Sequence, residues 1–298
     1  DANASYIVNG MSRVLDPDKW IAAHRMEVAV ATSLDLGFQE VVIYGDRGPE
    51  PAYMNPLMFY WAAQSYLGDK DNVMMAIDAD WRLRPGLRWW AAYAIDDLKK
   101  LKIFSDDFAN KFSLQSGALW TDPLGVDDVD LRADYVRIEP WFYTHKFPVN
   151  IFRHFDAPLG HSLGPNSDRW CFEVERRWTR DLSTSLSFSR SRHGDNVLLE
   201  EGTILNVGGD LHRGWRPGDE RQNKDFLDGN VGRRSLLTAG VDLRLWPRLR
   251  LRAGAAFEWG DNVPLPPRDG PAMPLTNRSG YGDGDQTHLW LDVRYGVL

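Results

Sequence analysis

Hydrophobic and polar residues alternate with a period of two along much of this chain. In the segment 247–260, PRLRLRAGAAFEWG, every odd position from Leu249 to Trp259 is apolar, while the even positions carry arginines, a glutamate and small residues. This pattern predicts a β-strand with one apolar and one polar face. Such a strand fits a soluble antiparallel sheet packed on a core, or a membrane barrel with lipid outside and water inside.

Ten further segments repeat the alternation with varying strength, so the chain is predicted to be all-β and antiparallel. The eleven predicted strands are 24–32, 36–44, 73–82, 87–96, 111–121, 129–135, 170–175, 182–189, 237–245, 249–259 and 289–297. Most of them approach the roughly 9–11 residues with which a tilted strand crosses a membrane. Residues 1–298 are expected to form one barrel domain, in which 1–23 is an irregular N-terminal segment and 11–23 a loop.

The connections between these strands alternate regularly in length. Very short links such as LRPG (83–86) and TRD (179–181) join the strands in pairs, whereas every second connection is long, as in 142–167 and 194–233. Short periplasmic turns and long extracellular loops are typical of bacterial outer-membrane barrels. A soluble barrel of the lipocalin type stays open as an alternative, although its loops are rarely this long.

Charged residues are concentrated on the polar faces of the predicted strands. A dry core could not hold them, because each unpaired charge would cost several kcal/mol, whereas a water-filled lumen lets arginines and acids pair across strands. The residues predicted to face the lumen are Asp78, Asp80, Arg88, Asp130, Arg132, Asp134, Glu173, Glu175, Asp242, Arg244, Arg250, Arg252, Asp292 and Arg294. The tryptophans expected to form an aromatic girdle near strand ends are Trp81, Trp89, Trp178, Trp246 and Trp259. The apolar faces are therefore predicted to contact lipid.

The composition of the chain argues against several other classes of protein. Its 298 residues carry a net charge of −7, which disfavours a nucleic-acid partner. No segment approaches the roughly 18–20 apolar residues of a spanning helix. The single cysteine, Cys171, excludes an internal disulfide and a cysteine-based zinc site. We expect no cofactor and no bound metal.

Strand parity gives a further expectation. A closed barrel with both termini in the periplasm has an even number of strands, and its first strand runs outward. Counting back from the last predicted strand makes 24–32 an inward strand, so at least one outward strand should precede it. The parity predicts a barrel of about 12 or more strands, with N-terminal strands missing from this chain.

Several segments resemble the capsule-assembly Wzi family. They are LGFQEVVIYGDRGPEPAYMNPLMF (36–59), DNVMMAIDADWR (71–82), AIDDLK (94–99), EPWFYTHKF (139–147) and APLGHSLGPNSD (157–168). The resemblance runs from about His24 to the C-terminus, although the chain ends in Leu298 rather than in an aromatic residue. It implies a barrel of up to about 18 strands in the bacterial outer membrane, with lectin-like attachment of capsular polysaccharide to the cell surface.

A polysaccharide site needs aromatic platforms for sugar faces and rigid polar groups for hydroxyls. The loop 141–168 offers Trp141, Tyr143, His145, His154, His161, Asn166 and Asp168. Alternatively, Asn166 and Asp168 only fold the loop back by capping backbone groups. Asp96 and Asp97, at the outer mouth, could bind sugar hydroxyls or Ca²⁺, or pair with Lys99 or a lumenal arginine.

Asn55-Pro56 has the sequence of a helix N-cap followed by proline at the first helical position. We therefore expect a short helix through Ser65 within the first long loop. Folding of this helix into the mouth of the barrel is the favoured interpretation.

Enzyme signatures are weak in this chain. His145, His154 and His161 lack a metal-ligand spacing, and the serine stripe 183–189 has no adjacent base, so no catalytic residue is expected. The favoured hypothesis is a non-catalytic outer-membrane barrel that binds and anchors extracellular or capsular polysaccharide. Its expected surroundings are outer-membrane lipid or lipopolysaccharide and possible envelope protein partners. A passive porin, a structural barrel within an envelope assembly and an outer-membrane hydrolase stay open.

Overall fold

In the described part of the chain, one large antiparallel sheet of eleven strands dominates the fold. The computed structural model describes residues 4–8, 11–15, 18–97, 105–155, 157–200, 202–215, 219, 223–264 and 281–296. The strands of the sheet, each paired with the next, are β3 (Lys19–Ala31), β4 (Leu34–Gly45), β5 (Asn72–Arg84), β6 (Leu87–Asp97), β7 (Lys111–Thr121), β8 (Val129–Ile138), β11 (Ser167–Thr179), β12 (Leu182–Asp195), β15 (Asn230–Trp246), β16 (Leu249–Pro264) and β17 (Tyr281–Tyr295).

Smaller elements lie between these strands. Among the residues that the structure describes, three two-stranded sheets are formed by β1 (Ala4–Val8) with β2 (Met11–Leu15), β9 (Arg153–His154) with β10 (Ala157–Pro158), and β13 (Val197–Leu198) with β14 (Ile204–Leu205). The helices are α1 (Pro51–Met54), α2 (Tyr60–Tyr66) and the 3-10 turns Pro123–Gly125 and Pro148–Asn150. Within the described ranges, no helix has the length and apolar character needed to cross a membrane.

All eleven predicted strands are present, and the short predicted turns join them. Several strands extend beyond the predicted limits, since β15 begins at Asn230 rather than 237 and β12 continues to Asp195 rather than 189. The expectation of a loop over 11–23 is wrong, because β2 occupies 11–15 and β3 begins at Lys19. The stretch Trp20–Ala23 contains no polar residue, so it shows no alternation that would reveal a strand.

The sheet is open in the described part of the chain, where β3 and β17 form its two edges. Its two ends differ, as the sequence predicts. Short turns at 32–33, 85–86, 122–128, 180–181 and 247–248 define the end that we call the turn end. The long connections, including 46–71, 139–166 and 196–229, define the opposite end, called the loop end.

The two faces of the sheet have opposite character. Directly paired residues of neighbouring strands share a face, so Leu251 lies beside Leu243 and Val293, and Arg252 lies beside Asp242 and Asp292. We call the first side the apolar face and the second the charged face. Large hydrophobic side chains of the apolar face are exposed to solvent, including Val28, Ile77, Phe172, Leu186, Phe257 and Leu289. An exposed apolar band of this extent is the surface that a barrel presents to lipid.

Arginines and acidic residues of the charged face pair with each other, which confirms the predicted pairing across strands. Arg25 binds Asp78 at 2.5 Å, and Asp242 receives hydrogen bonds from Arg250 at 2.6 Å and from Arg252 at 2.8 Å. A cavity of about 480 Å³ lies on this face and is lined by Arg25, Glu27, Asp35, Asp78, Asp80, Arg82 and Arg88. Exposed pairs of this kind add little stability, and such a density of charge is typical of a hydrated wall rather than of a dry core.

Candidate functional site

At the loop end, the long connections fold onto the charged face. We call residues 139–166 together with the described part of 196–229 the loop layer. Phe142, Tyr143, Ile151, Phe152 and Leu211 of this layer form a buried apolar cluster with Ile43, Met74, Val136 and Ile138 of the sheet. Ile43 lies on the same face of β4 as Asp35, because both occupy odd positions. Packed protein therefore covers the charged face at its loop end.

Asn166 ties two segments of the loop layer to each other and to the end of β12. It is fully buried, and its φ of +54° places it in the left-handed region that asparagine tolerates. The side-chain amide donates to Gly194 O at 2.8 Å and to Asp228 O at 3.1 Å, while its oxygen accepts from Leu227 N at 2.7 Å. These contacts are those of the capping alternative, in which Asn166 satisfies backbone groups.

Trp141 and Tyr143 are also buried, and both have a positive φ. The Trp141 amide donates to Gly208 O at 2.9 Å, and its ring lies edge-on to Phe108 at 5.4 Å between centroids. A Cβ at Gly208 would lie 2.6 Å from the indole, so a glycine is required there. Trp141 thus packs in the interior of the loop layer.

Three of the candidate residues, Asp96, Tyr143 and His161, are joined by hydrogen bonds. The Tyr143 amide donates to Asp96 Oδ2 at 2.8 Å, and the Tyr143 hydroxyl accepts from the His161 amide at 3.1 Å. Asp96 therefore links the end of β6 to the loop layer. Asp97 ends β6, and its side chain lies outside the described residues, as does Lys99.

Asp168 lies on the apolar face rather than in the loop layer. It stands opposite Arg192 in the pairing of β11 with β12, and the Arg192 guanidinium donates to both of its carboxylate oxygens, at 3.0 and 2.5 Å. The Tyr135 hydroxyl donates to the same carboxylate at 3.4 Å. Asp168 is almost completely buried by these partners.

His145 and His161 are half-buried. Burial, together with Lys111 and Lys146, lowers the pKa of His145 to about 4, and burial with Arg169 lowers the pKa of His161. Each imidazole accepts a backbone hydrogen bond through Nδ1 at 3.1 Å, from Phe147 and Leu163 respectively. Both rings are therefore neutral near pH 7.

We expect the loop layer to lose stability as the pH falls from 7 to 5. The pKa of His145 is depressed from its ordinary 6.5 to about 4, so the unfolded chain takes up a proton below pH 6.5 that the folded protein resists. This stability is complete above about pH 6.5 and is lost progressively toward pH 4. Hydrogen exchange of amides 141–152, corrected for intrinsic rates, measures the effect.

His145→Asn is the matched variant, because its side-chain oxygen can still accept from the Phe147 amide but does not titrate. Hydrogen exchange of amides 141–152 should change less between pH 7 and 5 in this variant than in the unaltered protein. Equal pH dependence in the two proteins would show that His145 is not responsible.

A buried ion pair that sequence reasoning missed also fastens the loop layer. The Lys224 ammonium and the Glu139 carboxylate form an ion pair, and both residues are buried. Arg137 Nε donates to Glu139 Oε1 at 2.8 Å as well. The two partners are 85 residues apart, so no local pattern could have revealed the pair.

The helices of the first long connection lie on the apolar face, not in the mouth, so the predicted position is wrong. Tyr53, Tyr60 and Ala63 pack against Val42, Tyr44 and Val73 of that face. The predicted start at Asn55 is also wrong, because α2 begins at Tyr60 and Asn55 follows α1.

A tertiary contact explains why α2 begins at Tyr60. The fully buried Glu40 carboxylate accepts from the Tyr60 amide at 2.9 Å and from the Trp61 amide at 3.2 Å, capping α2 from β4. His24 Nε2 also lies 2.9 Å from this carboxylate. A local capping motif was therefore not needed at the start of α2.

The outer part of the loop layer carries exposed groups. The hairpin β9–β10 presents Phe155, which is 70% exposed, next to the exposed His154. Arg153 Nη1 and His212 Nδ1 lie 2.6 Å apart beside it. Among the described side chains, no group of three or more His, Cys, Asp or Glu could hold a metal ion.

The antiparallel sheet with an exposed apolar face, a charged face, short turns at one end and long loops at the other has the fold of an outer-membrane β-barrel. No protein-family model and no curated protein matches the chain.

Among solved structures, the chain is similar to Wzi of Escherichia coli, an outer-membrane protein of group 1 capsule assembly described as a carbohydrate-binding β-barrel. The TM-score is 0.50 and the identity 15%, over 82% of this chain and 48% of Wzi. The chain thus spans about half the length of that protein. The monoaromatic hydrocarbon channel CymD gives a TM-score of 0.34 at 9% identity, over 87% of this chain and 72% of CymD. The copper transporter OprC gives 0.37 at 10% identity, over 92% of this chain and 42% of OprC.

Proposed function

We propose that this protein lies in a bacterial outer membrane and binds and anchors extracellular or capsular polysaccharide without catalysis. Its turn end faces the periplasm and its loop end faces outward. The observation that carries the proposal is the packing of the loop layer on the charged face, because it places a fixed protein surface at the loop end. The chain shares its fold with a barrel that is described as carbohydrate-binding, and membership of the Wzi family is part of the proposal.

Most of the predicted site residues fall into two groups under this proposal, and Phe155, which was not predicted, joins the second. Trp141, Tyr143 and Asn166 are buried in the loop layer, so their role in binding is to hold the loops in place, whereas the buried Asp168 pairs with Arg192 on the apolar face. The exposed His154 and Phe155, with the half-buried His145 and His161, are the groups that a polysaccharide can reach. An exposed aromatic ring offers a platform for a sugar face, and the neutral imidazoles of His145 and His161, whose Nδ1 atoms accept backbone hydrogen bonds, can donate to a sugar hydroxyl through Nε2.

Phe155→Ala is expected to weaken polysaccharide binding about tenfold, which corresponds to about 1.4 kcal/mol. The ring is exposed and packs edge-on to His154 at 4.5 Å, so its removal should leave the fold intact. Binding of the detergent-solubilised protein to an array of bacterial capsular polysaccharides measures the effect.

Leu124→Ala is the matched control, because Leu124 is 88% exposed at the turn end. This variant should bind like the unaltered protein. Undiminished binding by Phe155→Ala would remove the hairpin from the site, and absence of binding by the unaltered protein to every polysaccharide would refute the proposal.

A passive diffusion channel is the second candidate, because the charged face and its cavity would suit ions and small polar solutes. Single-channel conductance in planar bilayers separates the two functions. A barrel covered by the loop layer should give no large, steady conductance, whereas a robust open channel would favour the porin.

A further inference from the structure

Three arginines interrupt the apolar face near the loop end. Arg190 and Arg192 lie on β12 at positions that share a face with Leu186, and Arg233 lies directly opposite Arg192 on β15. We call these three side chains the arginine patch. Arginine on a lipid-facing wall is costly at midplane and acceptable near an interface, so the position of the patch along the strand decides its meaning.

The patch lies at the upper edge of the apolar band. Arg190 is eight residues beyond Leu182, where β12 leaves the turn end. At about 3.3 Å per residue and a tilt of about 40°, Arg190 and Arg192 stand roughly 20–25 Å above the turn end, and the apolar band of such barrels is about 25 Å tall. Trp170, directly opposite Arg190, is exposed on the same face, as expected for an interfacial aromatic residue.

The charges of the patch are only partly balanced. Arg192 is paired with Asp168, and Arg233 Nη1 lies 3.0 Å from Asp261 Oδ2. Arg190 is exposed and forms no ion pair with any described residue. Arg192 and Arg233 stand directly opposite each other, which is unfavourable for like charges on neighbouring strands. An anion seated among the three guanidinium groups would relieve this repulsion.

We propose that the arginine patch binds the phosphate groups of a lipopolysaccharide molecule in the outer leaflet. Guanidinium groups bind phosphate oxygens in bidentate fashion, and the exposed Leu186 and Phe172 below the patch offer an apolar wall to the acyl chains. The site rests on the outer-membrane placement of the protein and is independent of polysaccharide binding by the loops.

The test compares variants of the full chain in nanodiscs that contain a neutral phospholipid. The probes are bisphosphorylated lipid A, the same lipid A without its phosphates, and inorganic phosphate, with bound lipid counted by native mass spectrometry. The main variant is Arg190→Gln with Arg233→Gln, which leaves the Arg192–Asp168 pair intact so that the barrel still folds. Arg176→Gln is the matched control, because Arg176 is an exposed arginine of the apolar face beside Trp178 at the turn end.

The unaltered protein should retain bisphosphorylated lipid A, and the double variant should bind it about tenfold or more weakly. Arg176→Gln should bind as the unaltered protein does, and millimolar inorganic phosphate should not displace the lipid. Equal retention of lipid A without phosphates, an equal loss in Arg176→Gln, or displacement by free phosphate would overturn the lipopolysaccharide site. Polysaccharide binding by the double variant should stay unchanged, so failure of this site and failure of the proposed function are distinguishable.

Discussion

Replacing Glu139 by glutamine should lower the free energy of unfolding by about 3–5 kcal/mol, because it leaves the buried Lys224 ammonium without its charged partner. The loss should be local at first. Glu139 also accepts from Arg137, and its carbonyl accepts from the Asn166 amide at 3.2 Å, so the loop layer loosens around it. Hydrogen exchange of 139–166 and guanidinium unfolding of the protein in lipid vesicles measure the two effects.

A second substitution provides the control. Adding Lys224→Met to Glu139→Gln removes the orphaned charge, and replacing a buried pair by neutral side chains of similar size is often close to neutral. The double variant should therefore recover most of the lost stability. The pair does not anchor the loop layer if Glu139→Gln hardly changes the free energy of unfolding. The same conclusion follows if adding Lys224→Met restores none of the lost stability.

Leu186→Arg should destabilise the protein in a bilayer by about 2–4 kcal/mol, since it places a charge on the lipid-facing wall near midplane. Leu186 is 50% exposed and lies midway along β12 between Leu182 and Arg190. The neighbouring Ser187 lies on the charged face, directly opposite Glu173.

Ser187→Arg is thus the same substitution one residue away, on the opposite face. It should change the free energy of unfolding by less than about 1 kcal/mol, because a hydrated wall rich in acids accommodates it. Reversible unfolding into lipid vesicles compares the two. Equal losses of unfolding free energy in both variants would mean that the two faces have the same surroundings.

The strands could be predicted from the sequence where one face meets lipid and the other meets water. On β16, the apolar residues Leu251 and Phe257 and the charged Arg252 and Glu258 mark the two faces without ambiguity. The pattern disappears at the loop end, where protein covers the sheet. In β4, the half-buried Val41 and the buried Val42, Ile43 and Tyr44 pack on the loop layer with one face and on the helices with the other, so this run is apolar throughout.

The candidate site could be predicted only in part from the sequence, for the same reason. A turn-forming motif such as LGPNSD indicates a fixed loop, and Asn166 indeed satisfies backbone groups there. Nothing local indicates that Glu40 caps a helix twenty residues later or that Glu139 meets Lys224. Burial in this layer depends on which long connection covers which face, and strand periodicity carries no such information.

Contact of one face with lipid and of the other with water is the property on which the whole account depends. Spin labels placed one at a time at residues 183–188 of β12, in a Cys171→Ser background and in a bilayer, test it directly. Collision with dissolved oxygen, which concentrates in lipid, should peak at Thr184, Leu186 and Phe188. Collision with a water-soluble nickel complex should peak at Ser183, Ser185 and Ser187. Nickel access to Leu186 equal to that of Ser185 and Ser187 would contradict the membrane barrel.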